Sequence, residues 1–183
     1  MMKFSMVKTK LGWIGFIYNE KLIKNSIPFE NPKDVRKFFR EIFKRELLEK
    51  PNELLESEII NAIEGKSFNI DFNFNSDFQR KVLSIVMNIP KGKVTTYKSI
   101  AIAIGNEKLS RAIGNILFRN PFPIIIPCHR VIRSDGRIGG YSYGEELKEK
   151  ILRLEGIEIE NKKVKEKYLL PSNMLSYHFL KYL

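Results

Sequence analysis

Soft metal donors are scarce in this chain. Of 183 residues, one is cysteine, Cys128, and two are histidine, His129 and His178. A single thiol excludes an internal disulfide, and so few soft donors exclude a standard four-ligand zinc site. Long apolar runs are also missing. Nothing approaches the roughly 18–20 apolar residues that a membrane-spanning helix needs. The opening MMKFSMVKTK has no apolar stretch followed by a small-residue cleavage site, so no export signal is read there. With 43% hydrophobic and 29% charged residues, the composition is that of a water-soluble globular chain. The expectation is a cytoplasmic protein with no metal, no cofactor and no membrane partner.

Acidic residues are scarce in one stretch only. Residues 1–75 are nearly balanced, with 13 basic and 11 acidic side chains. Residues 76–140 carry 11 basic against 3 acidic, a net +8 out of the +11 of the whole chain. A bias confined to one segment marks a surface for a polyanion.

The two halves differ in pattern as well. GWIGFIY and KLIKNSIPF, separated by Asn19 and Glu20, predict a β-hairpin. Pro32 opens a predicted helix that runs on through VRKFFREIFKRELL, with Val35, Phe38, Phe39, Ile42 and Phe43 at helical spacing. Pro51 ends it, and Asn52 caps a shorter helix through Ile63. GKSFNIDFNFNS reads as a connecting segment with an extended edge piece, and the domain boundary is placed near Asn75.

Helices dominate the second half. Ser76 and Gln79 form a capping box for a helix whose stripe is Phe78, Val82, Ile85, Val86 and Ile89. Thr96 caps a short helix through Ile104, closed by Gly105. Asn106 caps a third helix through Leu117. Two short helices at a glycine corner are the pattern of a helix-turn-helix. On the third helix Leu109, Ala112, Ile113, Ile116 and Leu117 face a core, while Ser110, Arg111, Gly114 and Asn115 form a small, polar face with one long cation. Glycine costs about 1 kcal/mol inside a helix. A close approach, either to an outside surface or to a neighbouring helix, would justify it.

The lone cysteine sits in Asn120-Pro-Phe-Pro-Ile-Ile-Ile-Pro-Cys128-His129-Arg130-Val131. The isoleucines read as a short buried strand before the turn. A thiol with pKa about 8.5 is only a few per cent ionised at neutral pH, so a nucleophilic Cys128 needs a base, and His129 adjoins it. Past the glycine-rich SDGRIGGYSYG, Ser142 and Glu145 form a second capping box for a helix through Glu155 whose inward face is Leu147, Ile151 and Leu154. Glu155 lies in the last turn, where the helix dipole disfavours a carboxylate. That makes it a candidate partner for His129 in a Cys–His–Glu relay, with a plain surface glutamate as the alternative.

Residues 76–157 resemble the O6-alkylguanine-DNA alkyltransferases, also called O6-methylguanine-DNA methyltransferases. The resemblance rests on Ile126-Pro-Cys-His-Arg-Val together with Phe78-Gln79, Gly92-Lys-Val, Thr96-Tyr97, Arg111-Ala112, Asn120-Pro121, Gly139 through Ser142, and Glu155-Gly156. Residues 1–75 match only in size and general pattern. The resemblance implies an α+β fold in two parts. A small N-terminal α/β domain of ribonuclease-H-like type (1–75) precedes a mostly helical winged helix-turn-helix domain (76–159), with a C-terminal extension (160–183) read as helical. It implies direct-reversal repair of double-stranded DNA containing O6-alkylguanine. The base is flipped out of the duplex, and its alkyl group passes irreversibly to Cys128, once per molecule. His129 would act as base through a water, oriented by Glu155. Tyr97 would donate a proton to guanine N3, and Asn120 would brace the turn. Thr96, Ser110, Arg111, Gly114 and Asn115 would contact DNA in the minor groove, largely independent of sequence, with Arg111 filling the gap in the stack. Tyr97, Pro123, Val131, Tyr141 and Ser142 would surround the substrate, and a monomer is expected.

Three departures from the family stand out. Some members bind a structural zinc through N-terminal Cys and His residues, which this chain lacks there. Tyr143 stands where several members have a small residue, which bears on bulky adducts such as benzyl. After Pro171-Ser172, Met174, Leu175, His178, Phe179 and Tyr182 share one helical face, read as packing on the body. Two rival functions are a lesion-binding protein without transfer, whose relatives lack the acceptor cysteine, and a sequence-specific regulator in which Cys128 is idle.

Overall fold

The structure is a computed structural model describing residues 2–44, 47–70, 72, 74 and 76–175. It combines helices and strands in an α+β arrangement. The chain divides into two compact units, residues 1–73 with 121–125, and residues 74–120 with 126–183. Among the described residues no helix is long and apolar enough to cross a membrane.

The first unit is built on strands β1 (Lys3–Thr9), β2 (Gly12–Tyr18), β3 (Leu22–Asn25) and β4 (Leu48–Glu49), in the order β3-β2-β1-β4. The hairpin read from the sequence is β2–β3, with a register shift near Tyr18. Strand β1 pairs antiparallel with β2 and parallel with β4. Alternation along the strands sends successive side chains to opposite faces. Phe4 and Ile17 meet helix α1 (Pro32–Phe43) through Val35 and Phe39. Ser5, one residue on, donates its hydroxyl to Glu56 Oε1 at 2.7 Å on helix α2 (Glu53–Glu64). The sheet is therefore covered on both faces, which explains why Ile14 through Tyr18 are all buried.

Both helices start where the sequence reading puts them, at Pro32 and after Asn52, and each has an asparagine cap. Asn31 accepts from Lys33 N–H and Asn52 from Leu55 N–H. Helix α1 stops earlier than its apolar periodicity suggests. Lys44 turns left-handed (φ 39°), and Leu48 and Glu49 join the sheet beside Lys3 and Phe4 instead. Strand pairing has overridden a helical repeat that Leu47 and Leu48 continue on paper. The connecting segment does supply an edge piece, since Phe72 bridges Leu22.

The second unit opens with helix α3 (Asp77–Met87), where Ser76 Oγ accepts from Gln79 N–H at 3.1 Å. Strand β5 (Thr95–Thr96) leads into helix α4 (Tyr97–Ile104), capped by Thr96 and closed by Gly105 at φ 94°, a value L-residues rarely adopt. Asn106 caps a 3-10 turn, Glu107–Leu109, rather than an α-helix, and α5 (Ser110–Phe118) comes after it. A second 3-10 turn, Cys128–Arg130, leads into β6 (Val131–Ile132), which pairs parallel with β5. Helix α6 (Glu145–Leu154) and the hairpin β7 (Ile159–Glu160)–β8 (Lys163–Val164) complete the unit.

Several sequence expectations are corrected here. Ile124–Ile126 are buried but form no strand. Ile124 and Ile125 make a turn, with Ile124 at φ 75°. Ser142 does not cap α6; its hydroxyl donates to Phe118 O at 2.6 Å, and Gly144 stands at the cap. The inward face of α6 is Lys148, Ile151 and Leu152, while Leu154 is 59% exposed. Residues 160–170 are not helical. They add the β7–β8 hairpin and a 3-10 turn, Glu166–Tyr168, to a core of Val94, Ile132, Ile138, Leu152, Ile157, Ile159 and Val164. A helical turn begins only at residue 172, with Leu175 buried and Met174 exposed. His178, Phe179 and Tyr182 lie outside the described residues.

Gly15 marks where α1 presses hardest on the sheet. A Cβ there would lie 2.3 Å from Val35 Cγ1 and 2.7 Å from Phe39 Cε2. Gly15→Ala is expected to destabilise the protein by about 1–3 kcal/mol through overpacking, seen as a lower urea midpoint at unchanged slope.

Candidate active site

Pro127 sets the turn that presents the cysteine. Its backbone (φ −80°, ψ 64°) is that of an inverse γ-turn, and Cys128 N–H donates to Ile126 O at 2.8 Å. The turn is clamped from α5's end by Asn120. Its Nδ2 donates to Ile126 O at 2.9 Å and to Cys128 Sγ at 3.1 Å. Cys128 is 5% exposed and borders a cavity of about 270 Å³ that it shares with Tyr97, Gly114, Leu117, Phe118, Gly140, Tyr141 and Ser142.

His129 points into the unit and is fully buried. Its Nε2 lies 3.0 Å from Glu155 Oε1. Arg130 forks the same carboxylate, Nε to Oε2 at 2.9 Å and Nη2 to Oε1 at 2.7 Å, and donates Nη1 to Ile89 O at 2.6 Å. Burial alone would raise the Glu155 carboxyl, but the donors on His129 and Arg130 hold it at about 2. Burial lowers the His129 pKa against the pull of Glu155. A neutral imidazole facing a carboxylate carries its proton on Nε2. That leaves Nδ1 as a lone pair, and Nδ1 is buried with no hydrogen-bond partner among the described residues.

Lys148 is fully buried, although the sequence reading assigned it no role. Its Nζ donates to Val131 O at 2.7 Å and Gly140 O at 3.4 Å, and burial lowers its pKa to about 8. Burial pushes the Cys128 thiol up, while the Asn120 bond and the Lys148 charge pull it down. The net shift is upward, so the resting sulfur is a thiol. Tyr97 is pushed up to about 12 by burial and then by Cys128, so its hydroxyl stays protonated. Burial also raises Tyr141, whose ring packs edge-on against Tyr143 at 5.6 Å.

The site residues read from the sequence divide into groups. Cys128, Tyr97, Gly114, Tyr141 and Ser142 share the cavity; Asn120 reaches the same sulfur through its amide, while His129, Val131 and Glu155 are not among the lining residues. Pro123 belongs to the first unit, where its carbonyl accepts from Asn25 Nδ2 at 2.7 Å, and it is not among the cavity-lining residues. Thr96 spends its hydroxyl on Ser99, and Ser110 on Glu107 O. Arg111 and Asn115 are exposed. A Cβ on Gly114 would meet only Tyr97 Cε1, at 3.9 Å, so no internal packing demands glycine there. Lys148 carried a usable signal: it precedes Ile151 by three residues and Glu155 by seven, on one helical face.

Residues 77–157 match the family model for the DNA-binding domain of 6-O-methylguanine DNA methyltransferase. A methylated-DNA–protein-cysteine methyltransferase of Methanosarcina barkeri is 36% identical over 163 residues, covering 84% of this chain and 97% of that one. The one from Methanothermobacter thermautotrophicus is 46% identical over 91 residues, and there the match spans about half of each chain, 50% and 51%. The crystal structure of O6-methylguanine-DNA methyltransferase from Pyrococcus kodakaraensis superposes with a TM-score of 0.70 at 28% identity, covering 84% of this chain and 99% of that one.

The buried network fixes the direction of the pH dependence. Glu155 titrates near 2 folded and 4.5 free, so between those values the unfolded chain binds more protons. Its contribution is present above pH 4.5 and lost as pH falls toward 2. His129, lowered from 6.5, acts in the same sense below pH 6.5. Glu155→Gln leaves Arg130 and its charge partly buried without a counter-ion. It is expected to cost about 3–5 kcal/mol at pH 7 and to flatten the fall in stability between pH 5 and pH 3, as followed by urea unfolding.

Proposed function

The chain belongs to the methylated-DNA–protein-cysteine methyltransferase family, and from that premise we propose that Cys128 accepts an alkyl group from O6 of guanine in DNA, once per molecule. The observation that carries this assignment is the buried constellation around one sulfur. Cys128 borders the cavity, Asn120 donates to its Sγ, and His129 keeps an unpaired Nδ1 beside a carboxylate-bound Nε2.

The thiol is not pre-ionised, so its proton must leave as the reaction proceeds. His129 accepts it, through a water, on the Nδ1 lone pair, and Glu155 stabilises the imidazolium that forms. The sulfur attacks the alkyl carbon, an S–C bond forms, and the C–O6 bond breaks with its electron pair retained by guanine. Tyr97, held protonated, supplies a proton at N3, and the proton on His129 restores the balance. Thiol and O6-alkylguanine become thioether and guanine with no net change in protons. A thioether carries no proton to lose and is a poor leaving group, so the protein is consumed.

For DNA, we read α4 and α5, joined at Gly105, as the helix-turn-helix of a winged domain, and the order β3-β2-β1-β4 as a ribonuclease-H-like sheet. Arg111 is exposed on α5 on the same helix as Gly114. On this reading it fills the gap that the everted base leaves, while the small face enters the minor groove and contacts backbone more than base edges. Binding then depends on salt more than on sequence.

The decisive experiment mixes the protein with a duplex carrying one O6-methylguanine and weighs the intact protein. A gain of one methyl mass, saturating at one per molecule and absent in Cys128→Ala, is expected. Tight binding without any gain would replace transfer by lesion recognition. Tyr143 packs on the cavity residue Tyr141 and restricts bulky adducts. Tyr143→Gly is therefore expected to speed transfer from O6-benzylguanine by tenfold or more while changing the methyl rate far less, as followed by single-turnover mass spectrometry.

A further inference from the structure

Phe118 is the last residue of α5 and, among the described residues of the second unit, its most exposed large hydrophobic aromatic, at 67%. An isolated exposed aromatic needs no explanation. This one borders the same cavity as Cys128, so its ring stands at the rim. Its backbone is held there, because Ser142 Oγ, another lining residue, donates to Phe118 O at 2.6 Å. The helix that ends in Phe118 also presents Arg111 and Asn115 to solvent, and Arg119, the next residue, is exposed too. The ring thus sits in a segment with net charge +8.

We propose that Phe118 is an aromatic contact for the DNA strand bearing the lesion, packing against nucleotide surface just outside the cavity once the target base has entered it. A base filling the cavity reaches only the edge of a ring that is mostly outside. Behind the base comes the rest of the strand, and the surrounding basic charge selects that occupant. When one base leaves a duplex its neighbours lose a stacking partner, and every base has a π-face for an aromatic side chain to cover. Phe118 therefore adds a grip that does not depend on phosphate charge. The inference rests on the DNA-repair reading of the same site.

The test measures affinity for a duplex with one O6-methylguanine in a Cys128→Ala background, where transfer cannot interfere. Phe118→Ala is expected to weaken binding by about tenfold or more, the usual loss when a base loses an aromatic partner. Phe118→Tyr should restore most of it and Phe118→Leu only part. The slope of log affinity against log salt should stay the same in Phe118→Ala. With Cys128 present, Phe118→Ala should slow methyl transfer from the duplex at subsaturating protein at least fivefold more than transfer from free O6-methylguanine base. Unchanged duplex affinity, a changed salt slope, or equal losses on duplex and free base would each overturn the inference. Failure of the wild-type protein to gain methyl mass would instead sink the transferase reading, and the affinity series would still report on Phe118.

Discussion

Glu155 is the fixed point of the second unit. One carboxylate at the end of α6 receives a hydrogen bond from His129 and a two-pronged one from Arg130, and Arg130 reaches on to the carbonyl of Ile89 beyond α3. A carboxylate at a helix C-terminus opposes the helix dipole, and burial adds a desolvation cost. Two donors from the Cys128–Arg130 turn offset both. The same bonds that make the charge tolerable set the tautomer of the histidine and orient the turn that holds the sulfur. Stability and chemistry are not separable at this residue.

The charges around the sulfur are arranged for a thiol that ionises late. Burial outweighs the Asn120 bond and the Lys148 charge, so at rest there is no exposed thiolate to react with passing electrophiles. Lys148, whose hydrogen bonds go to the neutral carbonyls of Val131 and Gly140, feels the charge of Glu145 at rest and gains that of Cys128 when the sulfur becomes negative. In the proposed transfer that interaction grows along the reaction, which is the form in which electrostatic stabilisation lowers a barrier.

Much of this was legible from residue types. Asn52, Ser76 and Thr96 each cap the helix they precede, because a short polar side chain before an apolar repeat has one dominant local use. Glu155 stood out because it violates the dipole rule. What failed did so for tertiary reasons. Leu48 leaves a helical pattern because β1 offers it a ladder. The Ser142 hydroxyl is turned to Phe118 O, to which it donates, instead of accepting from an N–H of α6. The three isoleucines were read as a strand because they form an apolar run before a proline, yet no strand among the described residues pairs with them, and Ile124 and Ile125 make a turn. Lys148 was passed over because lysine is so rarely buried; only the helical phase against Ile151 and Glu155 argued otherwise.

The short run Pro121–Ile125 makes the architecture less modular than a two-domain outline implies. It groups with the first unit although its flanking residues, Asn120 and Ile126, are in the second. Asn25 holds it by two bonds, its backbone N–H to Pro121 O at 3.1 Å and its Nδ2 to Pro123 O at 2.7 Å. Within it, Ile124 sits at φ 75°, a conformation that β-branched residues avoid and that persists only where surroundings enforce it. The chain passes between the units three times, so no single cut yields two autonomous pieces. A fragment beginning at residue 76 retains every residue of the reacting constellation, yet lacks the partner that keeps the backbone four residues ahead of Cys128 in its strained shape. Asn25 is in this sense a splint for the run Pro121–Ile125.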